Sequence, residues 1–153
     1  MKRFQNNKNI EKNKIINFFF DGKKYQGYEG DTLASALLAN NIHLVGRSFK
    51  YHRPRGIVSA GSEEPNGIVQ LETNEYTEPN RRVTEIQIYE GLKAYSQNNW
   101  PYVNFDFGAV NDLLSPFFPA GFYYKTFMWP AGFWEKYEFF IRHSAGLGKS
   151  PTK

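Results

Sequence analysis

The dipeptide Asp21-Gly22 constrains this chain more than any other feature. It stands between two runs with strand composition, Ile15–Phe20 and Lys23–Tyr28. Two residues of this type between apolar runs set a primed hairpin turn, whose twist matches that of the strands it joins. A hairpin cannot bury its own apolar face, so a later element of the chain must cover it. Gly30-Asp31-Thr32 then opens a helix, with Asp31 as the expected N-cap. Leu33, Ala34, Leu37 and Leu38 recur at helical spacing, and Asn40-Asn41 is the expected stop.

Beyond a long loop, Ile68–Glu72 alternates as a half-buried strand. Thr73–Asn80 reads as turn-rich and Val83–Tyr89 as a further alternating strand. The order hairpin, helix, long loop, strand, turn, strand is that of an α+β β-grasp domain, a small mixed sheet curled about one helix. Pattern alone leaves ubiquitin-like and ferredoxin-like versions open. After Gly91 the character changes. Asp106–Leu114 predicts one or two helical turns, and Trp134–His143 a helix ended by Gly146-Leu-Gly148 and Pro151. The expected organisation is a disordered tail over 1–14, a β-grasp domain over 15–92 and an aromatic-rich connector over 93–153.

The loop Gly46–Gly56 is the candidate functional segment. It carries Arg47, Lys50, Arg53, Arg55 and His52, interleaved with Phe49 and Tyr51. In an extended segment such alternation presents one apolar and one charged face. Charge-assisted hydrogen bonds from the cations to carboxylates of another domain or subunit, or to a cofactor phosphate, with Phe49 and Tyr51 as anchors, make it a docking loop, with a protein surface favoured over a cofactor. A solvated loop is the plainer alternative. The net charge of +4 is accounted for by the first fourteen residues, so nucleic-acid binding is not expected. His52 and His143 read as structural, His143 at a helix end where a cation offsets the dipole. Glu63-Glu64 reads as a solvated or cation-paired turn.

The chain has 14 Phe, 10 Tyr and 3 Trp but no Cys. Disulfides, thiolate zinc sites, cysteine nucleophiles and cysteine-ligated iron–sulfur clusters are thereby excluded. No catalytic, cofactor-binding or metal-binding residue is expected. The aromatic stretch 117–140 is broken by Pro119, Lys125, Pro130, Glu135 and Lys136, so it is not expected to span a bilayer. No signal segment is read at the N-terminus, and a cytoplasmic location is expected.

Several strings now point to a family. Gly30-Asp31-Thr32-Leu33-Ala34, the loop Gly46–Gly56, Tyr89–Leu92, Asn99-Trp100-Pro101, Pro119–Phe127 and Ala145–Gly148 together resemble the N-terminal region of the alpha subunits of heterotetrameric sarcosine oxidases. That resemblance implies a ferredoxin-like (2Fe-2S type) β-grasp domain that has lost its cluster. Related dehydrogenase subunits carry C-x4-C-x2-C here, at positions that fall on Ser59, Glu64 and Gly67. It further implies FAD, FMN and NAD in the assembled enzyme, held on other domains and subunits. The partners implied are those subunits and a dinucleotide-binding domain, with oxidative demethylation of sarcosine to glycine as the activity. The chain reads as a fragment, a split-gene product or a truncated reading frame, because no dinucleotide fingerprint occurs before Lys153. A free-standing β-grasp module docking an anionic protein partner through its basic loop is the alternative reading.

Overall fold

The computed structural model describes residues 11–73, 76–117, 129–130, 132–145 and 150–152. Residues 1–10 of the expected disordered tail and the strings 119–127 and 146–148 lie outside the described residues, whereas residues 11–14 of that tail are corrected to strand, because they extend the first strand of the sheet.

Strands β1 (Glu11–Phe20) and β2 (Lys23–Glu29) form the predicted hairpin, in register from Ile15↔Tyr28 to Phe20↔Lys23. Asp21 and Gly22 both take positive φ, 48° and 75°, as a primed turn requires. Helix α1 (Leu33–Ala39) follows. Next come the short strands β3 (Gly46–Arg47) and β4 (Pro54–Arg55), which pair with each other. Strands β5 (Ile68–Thr73), β6 (Tyr76–Arg82) and β7 (Lys93–Ser96) complete a five-stranded sheet of order β2-β1-β7-β5-β6. Its central pair, β1 and β7, is parallel, with Phe19 opposite Lys93 and Phe20 opposite Ala94. Parallel neighbours need a long crossover, and the helix, the basic loop and the β5–β6 hairpin all lie within that connection.

The core lies between the sheet and α1. Ile16, Phe18 and Phe20 point inward from β1, and Leu33, Ala34, Ala36 and Leu37 meet them from the helix. Phe18, Leu33 and Leu37 are fully enclosed, each contributing about 1.5–3 kcal/mol relative to exposure. Seven residues are too few for an independent helix, so this burial holds α1 in place. Gly27 on β2 is where the layers come closest. A Cβ there would lie 2.4 Å from Ile88 Cδ1 and 3.2 Å from the Ala36 Cβ, so any larger residue would have to push the Ile88 side chain aside.

Three local expectations are corrected. The N-cap of α1 is Thr32, whose hydroxyl accepts from the Ser35 amide at 3.2 Å. Asp31 is buried one residue earlier and accepts from the Tyr28 amide and the Ser35 hydroxyl, so it closes the turn into the helix instead. Residues 76–80, read as turn, belong to strand β6. Val83–Tyr89, read as a strand, is a loop crossing the start of α1. Its Val83 and Ile86 carbonyls accept from the Ala34 and Leu33 amides, groups a helix leaves without internal partners. Val83, Ile86 and Ile88 are buried, and that burial produced the strand-like alternation. Thr32→Ala is expected to lower stability by about 1 kcal/mol, read as a shift of the urea midpoint at unchanged slope.

The connector holds a 3-10 turn (Phe107–Ala109), helix α2 (Val110–Leu113) and helix α3 (Trp134–Ala145). Among the described residues no helix is long and apolar enough to cross a membrane.

Candidate functional site

Two loops carry the chemistry. The first is the basic loop, which the β3–β4 pair folds back on itself. The Ser48 amide donates to the Arg53 carbonyl, and the Arg53 amide donates to Ser48 Oγ. The turn puts His52 at a φ of 53°, a conformation that few non-glycine residues adopt. Its ring then meets the connector.

Asp106 is the hub of that contact. Its side chain is fully buried. Oδ1 accepts from the Trp100 amide at 2.8 Å and the Gly108 amide at 3.1 Å. Oδ2 lies 2.7 Å from His52 Nδ1 and 3.5 Å from Arg47 Nε. Arg47 also donates to the Val103 carbonyl through Nε and to the His52 carbonyl through Nη1, each at 2.8 Å. Gly108 lets the imidazole approach, since a Cβ there would sit 2.2 Å from its Nδ1. The carboxylate thus ties residues 47 and 52 to residues 100–108 across more than fifty positions of sequence.

The remaining loop residues point elsewhere. Arg53 Nε donates to Asp112 Oδ1 at 2.6 Å, on the surface. Arg55 Nη1 donates to Asn66 Oδ1. Lys50 and Arg53 both lie 4.8 Å from the Tyr51 ring centre, within the range of cation–π attraction. Phe49 is half exposed. The structure therefore directs Arg47, His52 and Arg53 to carboxylates of this same chain and leaves Phe49, Lys50 and Tyr51 along the rim. Far from this loop, His143 Nδ1 lies 2.8 Å from the Phe139 carbonyl on α3.

Beside the loop lies an aromatic face. Trp100 and Phe107 pack as a tilted pair with ring centres 5.2 Å apart, and Phe105 meets Phe107 edge-on at 5.1 Å. Trp100, Tyr102, Phe105, Phe107 and Leu113 are all more than half exposed.

The second loop, residues 57–67, encloses the Glu64 carboxylate, 1% exposed. Oε2 accepts from the Val58 amide at 2.9 Å, the Ser59 amide at 2.6 Å and the Ser59 hydroxyl at 3.3 Å. Oε1 accepts from the Asn66 and Gly67 amides at 2.8 and 2.9 Å. Burial pushes the carboxyl's pKa upward, but the backbone N–H groups outweigh it and hold the group at about 2. The expectation of a solvated or cation-paired Glu63-Glu64 turn is thus corrected for Glu64. It is buried and bound by amides. Glu63 is exposed and accepts from the Gly61 amide. Sequence carried no signal for this, because the donors are backbone groups common to every residue.

Ser59, Glu64 and Gly67, the positions that the family resemblance assigns to cluster ligands, do converge. The Ser59 and Gly67 amides both donate to the Glu64 carboxylate. They do not suit a cluster. Iron–sulfur clusters are held by thiolates, and this chain has none. A Cβ at Gly67 would lie 2.7 Å from Val83 Cγ2 and 3.4 Å from Glu64 Cγ, so a cysteine there would collide with a stiff side chain. Among the described residues no cluster of His, Cys, Asp or Glu could hold a metal ion.

A mixed sheet about one short helix, with a long loop in the crossover between parallel central strands, defines an α+β β-grasp domain of the ferredoxin-like class. The chain belongs to the family of 2Fe-2S iron–sulfur cluster binding domains, whose model matches residues 13–99. It is 62% identical over 142 residues to the sarcosine oxidase subunit alpha of Rhizobium meliloti (strain 1021). That match covers 92% of this chain and 14% of the relative. It is also 42% identical over 88 residues to the sarcosine oxidase subunit alpha of Corynebacterium sp. (strain P-1), covering 56% of this chain and 9% of the relative. A solved L-proline dehydrogenase from P. horikoshii matches 60% of this chain and 17% of its own, with 27% identity and a TM-score of 0.46. The chain thus spans about a seventh or less of the curated relatives it matches.

Proposed function

We propose that this chain is the N-terminal, cluster-free part of the alpha subunit of a sarcosine oxidase, and that its role there is structural. The identity of 62% over 142 residues carries this reading, because it extends beyond the 13–99 span of the cluster-domain family into the connector. The shared region therefore includes the aromatic segment that the basic loop grips, as well as a common fold. The assembled enzyme would demethylate sarcosine oxidatively to glycine, with FAD, FMN and NAD held by other domains and subunits. The face formed by Trp100, Tyr102, Phe105 and Phe107, with the rim residues Phe49, Lys50 and Tyr51, would pack against the dinucleotide-binding domain or a neighbouring subunit. Exposed apolar patches of this kind mark interaction sites. Asp106 would hold that face in position while the sheet supplies rigidity.

Complementation tests the reading. A Rhizobium meliloti sarcosine oxidase lacking the matching part of its alpha subunit is expected to assemble poorly. Co-expression of this chain is expected to restore a co-purifying complex and sarcosine-dependent oxygen consumption. Unchanged assembly with and without the chain, which then elutes alone, would overturn the proposal. The purified chain by itself is expected to show no visible absorption band from iron or flavin.

A further inference from the structure

We propose that the loop over residues 57–67 is an anion-binding nest whose ligand is the chain's own Glu64 carboxylate, standing where a cluster domain would hold its cofactor. The ligand class is a small carboxylate, and Glu64 supplies it from within. The inference rests on geometry and on membership of the cluster-domain family, independently of the proposed role in a sarcosine oxidase.

Successive backbone N–H groups turned toward one point form concavities that take anions, iron–sulfur centres among them. The amides of Val58, Ser59, Asn66 and Gly67 do this here, two on each carboxylate oxygen. Only an anion with acceptors on two sides satisfies all four. Water donates as well as accepts, and an apolar residue would leave four buried donors without partners, a severe penalty. The surrounding structure fixes the concavity. Thr84 Oγ1 donates to the Gly61 carbonyl at 2.8 Å, Arg82 Nε to the Glu64 carbonyl at 3.2 Å and the Val83 amide to the Gly67 carbonyl at 2.9 Å. These bonds join the middle of the loop and its C-terminal end to the segment from the end of β6 to Thr84. The amide donors that would face a cluster's negative charge therefore keep a negative partner after the thiolates are gone. The loop holds its shape without iron because the charge at its centre is now covalently part of the chain.

Chemical rescue in the full chain tests this. Glu64→Ala is expected to lower Tm by roughly 10 °C or more. Sodium formate or acetate is expected to recover much of that loss in a saturable way, beyond matched sodium chloride, and to leave the parent protein unchanged. Glu64→Gln keeps the shape but turns an NH2 toward one pair of amides. Its Tm is expected to fall less and to gain nothing from formate, because the cavity stays filled. An unchanged Tm for Glu64→Ala would overturn the proposal. So would a loss that carboxylates repair no better than chloride. Should Glu64→Ala fail to fold, the acid titration of Glu64→Gln decides. A stability profile between pH 4.5 and 2 that runs parallel to the parent's would reject the nest, and a flatter one would support it.

Discussion

Replacing Asp106 by alanine is expected to release the segment from Trp100 to Leu113 from the basic loop, at a cost of about 3–5 kcal/mol in the equilibrium between docked and undocked connector. The magnitude comes from what is left behind. Arg47 is only 9% exposed at its side chain, so removal of the carboxylate strands a buried cation. The Trp100 and Gly108 amides lose their acceptor, and His52 loses the partner that holds its positive-φ turn. The sheet core does not pass through Asp106, so the effect should be local. Hydrogen exchange is expected to show lost protection at the Trp100 and Gly108 amides while β1, β5 and β7 stay protected. Proteolytic cleavage within 99–113 should accelerate. Asp106→Asn retains an acceptor for the two amides but faces His52 and Arg47 with an amide, so its effect should fall between alanine and the parent. Exchange rates at Trp100 and Gly108 equal to those of the parent would show that the carboxylate does not hold the connector.

Acid is expected to remove about 3 kcal/mol of stability through Glu64 alone. Its folded-state pKa, about 2, lies below the ordinary 4.5 because backbone amides favour the charged form more than burial disfavours it. A depressed carboxyl stabilises the fold in full above pH 4.5. The contribution declines as pH falls, because the unfolded chain binds its proton first, and it is gone below about pH 2. Charged neighbours do not set this window. Arg82 meets Glu64 at its backbone carbonyl and pairs with the Glu85 carboxylate at 3.7 Å, Arg55 contacts Asn66, and the Glu63 side chain accepts from the Gly61 amide. Urea unfolding at pH 7, 4.5, 3.5 and 2.5 would measure the loss. Subtracting the Glu64→Gln profile removes the exposed carboxylates that titrate alongside. A difference between the two profiles that does not shrink on acidification would show that the N–H groups do not hold Glu64 in its charged form.

The parts of the fold legible in sequence were those set by neighbours in the chain. Asp21-Gly22 made its hairpin because the turn's dihedrals are local, and Leu33, Ala34 and Leu37 marked one helix face because their spacing is periodic. Strand β7 was missed. Lys93–Ser96 is four residues long and becomes a strand only through β1 on one side and β5 on the other. Val83–Tyr89 misled for the opposite reason. Its alternation reflects burial against the start of α1, with no partner strand along its length, apart from a single bridge from Gln87 to Thr32. The basic loop was visible by composition, but its anchor was not, because 54 residues separate His52 from Asp106.

Composition alone settled that no thiolate can come from this chain, since a ligand's chemistry needs its atom whatever the backbone does. The local pattern likewise determined a hairpin, a short helix and an aromatic connector. Only the tertiary structure decided that Glu64 is an enclosed ligand and Asp106 a buried clasp. Each acts through donors gathered by the path of the backbone, and the position of an amide N–H in space is encoded by no residue type.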